Sequence, residues 1–236
     1  LLTAVPNWTG RLPVIGWPLA GLVALWLAGR VAVAISAVLP PYAAMAVDLA
    51  LPVALAGFLA REIIVGRNWR NLPVLALLAI WTLANAAYHY QALTGGNPAS
   101  GGGLRLGLSA AIMLISLIGG RIVPSFTRNW LATRPGMRLP AAFGQVDKFV
   151  LLATALALTA WVLAPDHALT AALNAVAGLA QAYRLIRWQG WQATSEALVW
   201  VLHAGYAFVP LGFLAIAARG FLPLSAAAAQ HVWLAG

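Results

Sequence analysis

Four histidines and one pair of opposite charges hold most of the chemistry available to this chain. His89, His167, His203 and His231 are its only imidazoles, and Arg30 and Asp48 interrupt otherwise apolar runs. Neutral imidazole is the commonest metal ligand and an axial ligand of haem. An ionisable side chain surrounded by lipid is costly, so each such residue is a candidate site. His89 sits in Asn85-Ala86-Ala87-Tyr88-His89-Tyr90, where Asn85, four residues earlier, shares its helical face. His203 sits in Trp200-Val201-Leu202-His203-Ala204-Gly205-Tyr206. There Gly205 leaves room beside the ring for a flat ligand or a neighbouring helix. No short spacing links the four histidines, so each reads either as a satisfied polar group or as a ligand. The metal candidates are His89, His231 and His167. His89, His203, His231 and Arg30 are candidates for holding a cofactor, with Asp48, Asn85 and Tyr206 in support. Cysteine is absent, which excludes thiolate metal sites, iron–sulfur clusters and disulfides. No catalytic residue can be named.

The elements that position these groups follow from composition. The chain has 236 residues, 62% of them hydrophobic and only 8% charged. Soluble domains carry about a quarter charged residues, so a water-exposed surface, a disordered chain and a cytosolic enzyme are excluded. Seven apolar runs are long enough to cross a bilayer: Trp17–Leu39, Ala43–Val65, Leu72–Leu93, Leu104–Ile122, Val146–Leu163, Ala168–Ile186 and Ser195–Ala218. Lipid forces backbone groups to pair internally, so these runs are helices. They lack the period-two alternation of a barrel strand. The fold expected is an all-α polytopic transmembrane bundle. It forms one domain over residues 1–236, with seven spanning helices and partial helices at both ends. Leu1 is not Met, and the run from Ser225 to Gly236 is half a span. Both ends read as those of an internal fragment.

Arginine and lysine set the orientation. Arg11, Arg61, Arg67, Arg70, Arg121, Arg128, Arg134, Arg138, Lys148, Arg184 and Arg187 fall in alternate connections, whereas the opposite ones hold only Arg105 and Arg219. The rich side is cytoplasmic. The net charge of +9 therefore reads as orientation signalling, not nucleic-acid affinity. At 1.5 Å per residue, Arg30 lies about 13 Å and Asp48 roughly 8 Å from the outer turn. They sit on consecutive antiparallel helices, and an ion pair between them is expected. It serves either as a lock between two helices or as a device in which Arg30 holds an anion, such as a porphyrin propionate, with Asp48 orienting it. His89, His167 and His231 fall in the same outer layer, and His203 falls nearer the midplane. Asp147 and Glu196 read as helix N-terminal caps, and Pro124 and Pro140 as helix stops. Trp8, Trp69, Trp130 and Trp191 recur every 61 residues in cytoplasmic connections. Either a duplicated hairpin or the ordinary length of a helical hairpin produces that spacing.

Several strings resemble the NnrS family. The most specific are Thr3-Ala4-Val5-Pro6-Asn7-Trp8-Thr9-Gly10-Arg11 and Gly119-Gly120-Arg121-Ile122-Val123-Pro124-Ser125-Phe126-Thr127-Arg128-Asn129-Trp130-Leu131. Asn85-Ala86-Ala87-Tyr88-His89 and the segment from Leu202 to Gly212 support them. The resemblance implies a multi-pass protein of the bacterial inner membrane with about twelve helices. It implies b-type haem and copper as cofactors, and a role in denitrification and the response to nitric oxide and nitrosative stress. Under it, His89, His203 and His231 become the candidate ligands. A family protein begins with a further helix bearing Trp-His-x-His-Glu and continues past His231, and neither stretch is in this sequence. The rival reading is a small-solute transporter or channel without a redox cofactor. A third is a non-catalytic membrane subunit that needs a partner.

Overall fold

The computed structural model describes residues 14–40 and 42–235. Among them are eight α-helices and no strand: α1 (Trp17–Ala34), α2 (Ala43–Val65), α3 (Leu72–Leu93), α4 (Gly102–Leu131), α5 (Gln145–Leu163), α6 (Ala168–Ile186), α7 (Ala197–Ala218) and α8 (Ala226–Ala235). The all-α bundle expected from composition is present, and α1 to α5 and α7 are long and apolar enough to cross a membrane. The expected seventh span, α6, has the length, but it carries Asn174, Gln181 and Arg184 and buries all three. The protein is therefore a multi-pass membrane protein in contact with lipid. The stretch containing Asn7, Trp8, Arg11 and the expected N-terminal partial helix lies outside the described residues.

The chain divides into two compact units, Leu1–Ala110 and Ala111–Gly236. In the first, α1 packs on α2 and α2 on α3. Leu22, Ala32, Leu59, Ile63, Val74 and Leu78 form the buried contacts, while Trp17, Leu27, Val31 and Leu83 face outward. A helix apolar on both its inner and outer faces suits lipid. In the second unit, α6 packs between α5 and α7, and the short α8 packs on α7. Trp233 anchors α8. Its ring lies edge-on to Trp161 at 5.3 Å and to Phe213 at 5.0 Å, and its indole N–H donates to the Val209 carbonyl at 3.0 Å.

Three expectations are corrected. Pro124 does not stop a helix: α4 runs through it to Leu131, as α2 runs through Pro52 and α7 through Pro210. One missing hydrogen bond costs less in lipid than a helix end with several unpaired groups. In consequence Trp130 lies in the last turn of α4 and not in a connection. Glu196 occupies the position before α7 but makes no side-chain capping bond.

Candidate functional site

Each unit contains one polar centre. In the first unit it is built around Asp48, which is buried on α2. The expected ion pair forms: Arg30 Nη2 on α1 donates to Asp48 Oδ1. Two donors from α3 then share Oδ2, Asn85 Nδ2 at 2.8 Å and His89 Nε2 at 3.1 Å. One carboxylate thus ties three helices together. Its tight setting needs a small residue opposite. A Cβ on Gly29 would lie 3.1 Å from Asp48 Oδ1 and 3.2 Å from its Cα.

The Asp48 contact fixes which ring nitrogen of His89 donates. An ionised carboxylate only accepts, so Nε2 carries a hydrogen, and in the neutral ring Nδ1 keeps its lone pair. The side chain of Asp48 is 6% exposed, that of His89 16% and that of Arg30 55%. The carboxylate is enclosed, while the guanidinium keeps N–H groups open to a further partner. Histidines that bind metal commonly donate their other N–H to a carboxylate or a backbone carbonyl. His89 has that arrangement.

The other three histidines, all in the second unit, differ from one another. His231 is exposed on α8, and its Nδ1 lies 2.7 Å from the Ala227 carbonyl. Nδ1 must donate there, which leaves the Nε2 lone pair free. His167 is the N-cap of α6, and its Nδ1 accepts the Leu169 N–H at 3.2 Å. Its Nε2 then carries the hydrogen, so metal ligation would cost the cap. His203 is buried, with Nε2 2.8 Å from Thr127 Oγ1. Thr127 donates its own hydrogen to the Val123 carbonyl at 2.8 Å, so it receives the His203 N–H. The Nδ1 side of His203 presses on Gly190, in the connection before α7, where even a Cβ would overlap the ring. Both edges of the His203 ring are therefore taken. The room beside Gly205 is real. It opens on an apolar cavity of about 250 Å³ lined by Gly119, Tyr206, Phe208 and Trp233 among others, but not by His203. Pockets for drug-sized ligands run to ~300–1,000 Å³, so this one is small for a macrocycle.

The second centre was not legible as a site. Arg184 is fully buried on α6. Its Nε donates to Asp147 Oδ1 at 2.8 Å, and its Nη1 donates to the Ser116 carbonyl at 2.8 Å and the Tyr206 hydroxyl at 3.3 Å. Tyr206 passes its hydrogen to Gln181 Oε1 at 2.8 Å, and Gln181 Nε2 donates to Thr154 Oγ1 at 2.8 Å and Ser116 Oγ at 3.2 Å. Asp147 keeps its expected capping role, accepting the Gly144 N–H at 3.0 Å, and also has Arg187 Nη1 at 3.5 Å. The Arg184 guanidinium donates outward, and the bonds that follow it end on carboxylate, amide, hydroxyl or carbonyl groups. These bonds join α4, α5, α6 and α7. Gly120 makes room for them, since a Cβ there would overlap the Arg184 guanidinium. Gly120→Ala is therefore expected to destabilise by roughly 1–3 kcal/mol through overpacking. Thermal unfolding in detergent measures this, and an unchanged midpoint would show that the guanidinium can move aside.

A sequence signal for this centre exists. Thr170, Asn174, Gln181 and Arg184 follow helical spacing along one face of α6, and all four are buried. Asp147 stands 16 residues before Leu163 and Arg184 stands 16 after Ala168, so the two meet at equal depth across the hairpin. Assigning Arg184 to a cytoplasmic connection concealed that symmetry. At the outer edge the same hairpin logic holds for Arg219, whose Nη2 donates to Asp166 Oδ1 at 3.0 Å.

Among the described residues, no three His, Cys, Asp or Glu side chains converge on a point that could hold a metal ion. Helices of spanning length, apolar outer faces and polar centres at helix junctions define a multi-pass helical membrane protein. The chain belongs to the NnrS family: the family model described as NnrS protein matches residues 1–236. No curated protein and no solved structure matches it.

Proposed function

We propose that this protein binds haem and copper in the bacterial inner membrane and acts in the response to nitric oxide and nitrosative stress that accompanies denitrification. Family membership supports the class of cofactor. One observation supports the residues: the His89 N–H donated to Asp48, which leaves a lone pair on an oriented and partly accessible ring. His231 offers the same feature through its own backbone. When bound, haem or copper would supply redox chemistry and a coordination position for a small molecule such as nitric oxide. The chain's own part is to hold imidazole in one tautomer and to keep Arg30 charged beside it for an acidic group. His167 and His203 fit this role less well, because a helix cap and the Thr127 hydroxyl already occupy the nitrogens concerned.

The test is an optical and metal-content analysis of the full-length protein. His89→Ala and His231→Ala are each expected to lower the Soret absorbance per protein, and His167→Ala is expected to leave it intact. An unchanged spectrum in the first two would remove them as ligands. A colourless, metal-free full-length protein that takes up solute in proteoliposomes would favour the transporter reading instead.

A further inference from the structure

We infer that the inner end of the second unit is a preformed binding surface for the phosphate headgroup of an anionic phospholipid. The observation is a junction of two connections, the one between α4 and α5 (residues 132–144) and the one between α6 and α7 (residues 187–196).

The first connection has no regular structure, yet it is pinned along its length. Gln192 clamps Arg138 by its backbone, accepting the Arg138 N–H at 3.1 Å and donating to the Arg138 carbonyl at 3.0 Å. Gln192 is itself held by Gln189 at 2.8 Å. The Ala141 N–H donates to the Arg187 carbonyl at 3.2 Å, and Arg128 Nη2 donates to the Pro140 carbonyl at 2.8 Å. Arg134 is fixed over the Trp130 ring at 3.5 Å from its centroid. The guanidinium of Arg138 takes no part in the clamp, and the residue is exposed.

Between the basic residues stand exposed apolar ones: Met137 at 41%, Phe143 at 56%, Phe149 at 58% and Trp191 at 55% exposed. A solvated connection is polar. Aromatic tips alternating with arginine and lysine are instead the composition of the membrane–water interface. Orientation signalling alone asks only for charge and gives no reason for an ordered platform. Ordering the groups in advance does make sense for binding, because the entropy of fixing them is not lost again when the ligand arrives. Phe149 continues onto the outward face of α5 with Leu152 and Leu156, which places acyl chains directly beside the arginines. Basic clusters at the cytoplasmic ends of membrane helices attract anionic headgroups, and the apolar tips supply the other half of a phospholipid.

Native mass spectrometry of the full-length protein with added phosphatidylglycerol or phosphatidylcholine tests this. The unaltered protein should retain phosphatidylglycerol about tenfold more than phosphatidylcholine. Arg134→Ala with Arg138→Ala should bring the two lipids near parity. Gln192→Ala changes no charge but releases the clamp, and should lower the preference several-fold. Size-exclusion profile and circular dichroism establish that each variant is folded. Equal retention of both lipids by the unaltered protein overturns the proposal, as does full preference in the double variant. A Gln192→Ala variant that keeps the full preference overturns the preformed platform.

Discussion

Replacing Asp147 with alanine is expected to lower stability by about 3–5 kcal/mol. The substitution would leave the Arg184 guanidinium charged with no counter-ion inside the helix bundle. Arg184 cannot shed its proton, and its side chain is 1% exposed, so water cannot reach it without opening the α5–α6 hairpin. The carboxylate also accepts from Gly144, so the first turn of α5 loses its cap with the same substitution. The expected readout is an earlier unfolding midpoint in a detergent titration, with helix content unchanged before the transition. The double variant Asp147→Leu with Arg184→Met should regain most of the loss. A buried pair replaced by apolar groups of similar volume is often neutral or better. If Asp147→Ala unfolds at the same detergent composition as the parent, the pair is not what holds α4 to α7 together.

Under the proposed metal and haem role, Asp48→Ala is expected to weaken ligand binding. It removes the acceptor shared by Arg30, Asn85 and His89. The imidazole then loses both its tautomer preference and its orientation. Loss of such an outer partner typically weakens a metal site by ~10- to 100-fold. Haem titrated into the apo full-length protein should therefore bind more weakly in Asp48→Ala, with an altered Soret position. Asn85→Ala, which removes one donor to the same carboxylate but leaves His89 its acceptor, should change binding far less. The unfolding midpoint of each variant, measured alongside, separates a lost ligand position from a lost fold. Equal affinity in both would show that Asp48 does not position a ligand. Arg30 lies within a membrane span, so the loss of Asp48 would also leave its charge without a counter-ion there.

The contrast between the two centres shows what a sequence of this kind reveals. Arg30 and Asp48 were legible because each is an isolated charge within an apolar run, at a similar depth on either side of the turn at Pro40. Asp147 and Arg184 obey the same symmetry about their own turn, yet they stand near helix ends. There a cap and an orientation signal are the ordinary explanations. Only burial separates a topogenic arginine from a structural one. The spacing of Asn174, Gln181 and Arg184 along one face was the available clue, and it also explains why α6 is less apolar than its neighbours.

Composition determined that the chain lies in a membrane, and the absence of period-two alternation made its spans helices, because lipid admits only helices and closed barrels. Hairpin arithmetic brought Arg30 and Asp48 together, because the rise per residue is constant. Depth alone does not say on which side of a helix a group lies or which nitrogen of an imidazole is taken. Those depend on contacts between residues far apart in the chain, such as Asp48 with His89 and Thr127 with His203. Four histidines that looked alike as letters thus became three kinds of chemical group. Two have a free lone pair on an anchored ring, one is a helix cap, and one is held between a threonine hydroxyl and the backbone at Gly190.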